Sequence, residues 1–165
     1  MHRRMKVSVR ARALVIAAAS VSLVAVPLAM PASAATGAQC KKLTEKTVKS
    51  TITFTVAQCT PVAATGGSGS GPVSGTKPGQ TKGSVNVKVT WANHKGTTTA
   101  NVSFGPAVGP GKCPAGTTRL KITGKVTGGS GTAVKTIKKG QPVSGSVCLA
   151  KSGSASLEPG TVVKF

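Results

Sequence analysis

Apolar and polar side chains alternate along much of this chain with the period of a β-strand. From Val48, the residues Ser50, Ile52, Phe54 and Val56 fall on one parity and Lys49, Thr51, Thr53 and Thr55 on the other, which predicts a half-buried strand with a polar outer face. Ser84 to Trp91 follows the same rule more strictly, with Val85, Val87, Val89 and Trp91 inward and Asn86, Lys88 and Thr90 outward. After Ala92-Asn93-His94-Lys95-Gly96 the chain returns from Thr97 to Phe104 with Thr98, Ala100, Val102 and Phe104 alternating. Two matched strands across a short turn bearing Asn and Gly predict a hairpin. A further strand is expected around Leu120, Ile122 and Val126, with Gly124 at a bulge. Shorter ones are expected at Ala133–Ile137, Val143–Leu149, Ser154–Leu157 and Thr161–Phe165, with turn signals between them.

No window beyond the first 34 residues carries a helical stripe. Seven or eight short strands with close turns predict an all-β fold, an antiparallel immunoglobulin-like β-sandwich. Its core would be aliphatic, with three Phe, one Trp and no Tyr. Thr60 to Gly83 breaks the pattern. Its seven Gly and three Pro, with the run Gly66-Gly67-Ser68-Gly69-Ser70-Gly71, read as a flexible loop at 60–83 inside a single domain spanning 35–165.

The first 34 residues read as an export signal. Arg3, Arg4, Lys6, Arg10 and Arg12 form a basic start, Ala13 to Met30 is an apolar run, and Ala32-Ser33-Ala34 supplies small residues at a cleavage site. Cleavage after Ala34 would leave a secreted, extracellular chain with no membrane span. Four cysteines in such a chain read as two disulfides rather than a metal site, because no pair has Cys-x-x-Cys spacing and His94 is the one imidazole after Ala34. Three connectivities are possible. Pairing of sequence neighbours, Cys40 with Cys59 and Cys113 with Cys148, is the simplest of them.

The segments Gly83-Ser-Val-Asn-Val-Lys-Val-Thr-Trp-Ala-Asn-His-Lys-Gly and Leu120-Lys-Ile-Thr-Gly-Lys-Val-Thr-Gly-Gly resemble a group of small secreted actinobacterial proteins. That resemblance rests on strand-and-turn motifs and implies a secreted β-sandwich. It implies no activity and no functional residues.

Charge narrows the chemistry. After residue 34 there are 17 basic residues, 16 of them Lys, against Glu45 and Glu158, a net charge of +15. A glycosidase needs two facing carboxylates, and each Glu reads more simply as a surface charge, Glu158 in a Glu-Pro-Gly turn and Glu45 among lysines. A hydrolase would have His94 as its base without a Gly-x-Ser-x-Gly elbow, and carboxylate cages for calcium or magnesium lack ligands. The chain is therefore read as no enzyme and as needing no cofactor. Trp91, on the parity of Val85, Val87 and Val89, is expected in the core rather than on a sugar-stacking or single-strand nucleic-acid platform. The lysine excess points to diffuse attraction to anionic cell-wall or surface polymers, without specific nucleic-acid readout, through Lys88, Arg119, Lys121, Lys125, Lys138 and Lys139. The alternative expectation is an extracellular ligand-binding or protease-inhibitory module that uses the 60–83 loop as its contact surface.

Overall fold

The computed structural model describes residues 37–48 and 51–165. The expected export signal, its expected cleavage site and Lys49 lie outside the described residues.

Among the described residues nine strands form one antiparallel sheet: β1 (Gln39–Val48), β2 (Thr51–Thr60), β3 (Ser68–Ser74), β4 (Gly83–Trp91), β5 (Gly96–Pro106), β6 (Thr117–Ser130), β7 (Pro142–Ala150), β8 (Ala155–Leu157) and β9 (Val163–Lys164). Each strand from β1 to β8 pairs with the next, and β8 then pairs with β1 at Thr44↔Ser156. The sheet thus closes into an eight-stranded up-and-down barrel, and the expected immunoglobulin-like sandwich is incorrect. The all-β expectation stands. The eighth position is filled by two short strands placed end to end. β8 lies along Val147–Leu149 of β7, while β9 lies between Ser144 of β7 and Gln39–Cys40 of β1.

Two strands absent from the alternation complete the ring. β1 contributes Leu43 and Glu45 to the inner wall, and its Lys-rich sequence shows no run of apolar residues. β3 is the Gly-Ser segment itself, so the stretch expected to be a loop at 60–83 holds a four-residue helix, α1 (Val62–Thr65), and a wall strand, leaving 75–82 as loop. Gly69 is buried and pairs with Trp91. A Cβ there would stand 2.6 Å from Val89 Cγ1 and 2.7 Å from Trp91 Cε3, so the missing side chain is the space that the indole fills. Low strand propensity yields to close backbone approach at this point.

The hairpin expected at Ala92–Gly96 forms as β4 and β5. Asn93 and His94 both have positive φ, 53° and 55°, and Lys95 N–H donates to the Ala92 carbonyl, the geometry of a type I′ turn. Elsewhere local expectations shift. The bulge falls in β6 opposite Thr99 and Ala100, and Gly124 itself stays in register against Val102. Gly131–Lys135 is a 3₁₀ turn rather than part of a strand. Its Ala133 N–H donates to the Lys95 carbonyl, which ties this turn to the β4–β5 hairpin.

The two ends of the barrel differ. At the end carrying α1, the β4–β5 turn and the 3₁₀ turn, Trp91, Ile137, Ala133, Ala38 and Phe165 form a plug, each no more than 4 % exposed. Trp91 and Phe165 meet edge to face at 5.5 Å, and the indole N–H donates to Thr98 Oγ1 at 2.8 Å, which satisfies the buried polar atom. Cys40–Cys59 clasps β1 to β2 near this plug, and Cys113–Cys148 fastens the β5–β6 loop to β7. At the opposite end the 75–82 loop bends over the mouth. Pro78 and Gly79 come within reach of Gly153 in the β7–β8 turn on the far side of the ring.

Candidate functional site

A barrel of eight strands is either just filled by its own side chains or leaves room for one small ligand. Here room is left. Below the mouth lies a cavity of about 110 Å³ whose walls are inward side chains of every strand but β3's glycines, among them Leu43, Phe54, Val73, Val85, Val87, Phe104, Ile122 and Val147. Val73, Val87, Phe104 and Ile122 have inward parity yet are only partly buried. All four line the cavity.

The 75–82 loop forms the roof, with Thr76, Lys77, Gly79 and Gln80 lining it. Its polar atoms are committed to one another. Thr76 Oγ1 donates to Gln80 Oε1 at 2.8 Å, the Lys77 N–H donates to the same oxygen, and Gln80 Nε2 donates to the Lys82 carbonyl at 2.6 Å. The loop is therefore held in shape by Gln80 rather than by the barrel wall.

Glu45 is the one carboxyl in the cavity wall. It sits on β1 opposite Phe54, half-buried, and among the described residues it has no hydrogen bond or ion pair from its side chain. Burial pushes its carboxyl above the ordinary range. Two positions along the same face, Thr47 Oγ1 is a buried hydroxyl without a partner among the described residues. The expectation that Glu45 is a surface charge is incorrect, because the strand parity turns it into the barrel.

Glu158 is equally withdrawn. It is 3 % exposed and accepts from the Lys112 N–H at 2.7 Å and from Arg119 Nε at 2.8 Å. The Ser146 hydroxyl, the Lys112 N–H and the Arg119 guanidinium hold its carboxyl down at about 2. Arg119 Nη1 also donates to the Pro110 carbonyl at 3.1 Å, so this pair staples the β5–β6 loop over the outer face of β6. The reading of Glu158 as a turn-borne surface charge is replaced by a structural ion pair.

Of the residues singled out for polyanion contact, Lys88 on β4 and Lys125 on β6 flank β5 on its outer face, opposite Thr99 and Asn101 respectively. Lys121 stands further along β6. All three are exposed, as are Lys138 and Lys139, which lie apart from them in the connection to β7 at the plugged end. Arg119 is engaged by Glu158 and is not part of a free cationic face. Between the lysines the outer wall is a ladder of neutral pairs: Ser84 with Ser103, Asn101 with Asn86, and Thr127 with Thr99. His94 is exposed on the β4–β5 turn at the plugged end, whereas Glu45 is near the mouth, so the topology does not bring base and acid together. Among the described residues no cluster of three metal-ligating side chains occurs, and no helix is long and apolar enough to cross a membrane.

The cavity was not visible in the sequence because its existence depends on ring closure. The one signal within reach was Glu45 itself, a carboxylate on the same parity as Leu43. Comparison with protein-family models, curated proteins and solved structures gives no match to this chain.

Proposed function

We propose that this is an exported, non-enzymatic binding protein that takes a small apolar ligand into the barrel lumen. The observation that carries this reading is the cavity of about 110 Å³, closed at one end by the Trp91–Phe165 plug and roofed at the other by a loop that makes its hydrogen bonds within itself. Apolar walls with few polar groups near the opening are the usual make-up of a ligand site. Set against a cavity of roughly 150 Å³ that takes benzene, the space suits about four or five non-hydrogen atoms of an alkyl chain, the rest of which reaches towards the mouth. The two disulfides support export, since such bonds persist in oxidising compartments.

Isothermal titration with octanol tests this. Saturable one-to-one binding is expected for the wild type and for Val108→Trp, a change at a fully exposed loop position. It should be lost in Val87→Trp, which fills the lumen. Absence of saturable binding to the wild type, or binding unchanged by Val87→Trp with circular dichroism intact, overturns the reading.

A second property rests on a different observation. Both acids of the chain are withdrawn from the surface, one into the lumen and one into an ion pair, so the exposed side-chain charge is uniformly positive. This shell would hold the protein on anionic wall polymers by screened, non-specific attraction. Retention on poly(glycerol phosphate) at low ionic strength, released by salt, is expected; passage without retention at low salt refutes it.

A further inference from the structure

Resting on the lumen as a ligand site, we infer that the ligand carries a primary amine on its apolar body and that Glu45 is the residue that receives it. Below the roof the wall of the lumen is apolar except at one level. There β1 presents the Glu45 carboxyl, the one acid of the lining. The remaining polar side chains of the lining belong to the roof: those of Thr76 and Gln80 bond each other, and that of Lys77 is exposed.

A ligand that fills the cavity removes from Glu45 the water it still has. With an alkyl chain or a carboxylate placed against it, the carboxyl loses hydration and gains nothing, an expensive outcome in an apolar pocket. An ammonium group reverses the balance: it donates directly to the carboxylate as a charge-assisted pair, and the pair strengthens as water leaves. Burial already raises the proton affinity of this carboxyl, as expected for a group short of a counter-charge. Lys77, the other charged side chain of the lining, stands on the exposed roof and makes no ion pair with Glu45. The lysines outside the lumen are solvated, and their repulsion of an incoming amine fades within about 8 Å at physiological ionic strength.

Calorimetric titration of octanol, octylamine and octanoate at one pH and ionic strength, on the wild type and Glu45→Gln, tests the assignment. Octylamine is expected to bind about tenfold tighter than octanol, and octanoate more weakly than either. Glu45→Gln should bring octylamine to within about threefold of octanol and leave octanol unchanged. Lys77→Ala, at an exposed position, should keep or strengthen the amine preference. If octanol binds but octylamine is no tighter, if octanoate is the tightest, or if the preference survives in Glu45→Gln, the amine assignment falls while the lumen remains a ligand site. If none of the three binds the wild type, both fall.

Discussion

The two glutamates carry opposite consequences for stability, and each follows from where its strand or turn points it. Glu158 has a folded-state carboxyl held at about 2 against an ordinary 4.5, so its stabilisation is present above about 4.5 and lost as pH falls towards about 2. Glu158→Gln should lower the thermal midpoint at neutral pH and flatten the acid limb of the stability profile. An unchanged acid limb would refute this role. Glu45 is the reverse case. Its carboxyl is raised by burial, so the folded state prefers the proton and ionisation works against folding as pH rises past 4.5. Glu45→Gln is therefore expected to raise the midpoint at neutral pH, with little change in acid. Gly69 is a third position where one atom decides. Gly69→Val would drive a side chain into Val89 and Trp91, and overpacking of this kind costs about 1 to 3 kcal/mol, readable by urea unfolding. None of the three roles was legible locally. A Glu-Pro-Gly turn and a Lys-flanked Glu look like surface, and a Gly-Ser run looks like a linker, until the neighbouring strands are in place.

At the level of elements, alternation was the dependable signal. The β4–β5 hairpin, β7 and the end-to-end pair β8 and β9 all fall where apolar parity and turn residues put them. It failed for β1 and β3. β1 spends its inward positions on Leu43, Glu45 and Thr47, and β3 spends two of its own on Gly69 and Gly71, so neither displays an apolar face. Without these two strands the remaining pattern suggests two facing sheets. With them β1 reaches β8 and no edge is left over. The disulfide pairs follow sequence neighbours, and their mechanical effect differs. Cys113–Cys148 closes a loop with a sequence separation of 35, and its double replacement by serine should cost roughly 3 to 4 kcal/mol in the chain-entropy picture. Loss well below 1 kcal/mol, measured by denaturant unfolding, would show that the Glu158–Arg119 staple holds the β5–β6 loop by itself.

For the whole molecule, charge and shape separate. With both carboxylates withdrawn, the exposed lysines repel one another without local partners, so the thermal midpoint should rise between low and physiological ionic strength as screening grows. A falling midpoint would show that attractive pairs dominate. Strand content, the separation of polar outer from apolar inner positions, the even set of half-cystines and the excess of lysine are all legible in the order of residues, because each is a matter of residue type and short-range period. Closure of the sheet on itself, the cavity inside it and the placing of Glu45 in the cavity wall emerge with the assembled fold. Closure depends on which strand meets the last one, a pairing between residues more than a hundred positions apart, as with Thr44 and Ser156, and no short-range pattern records it.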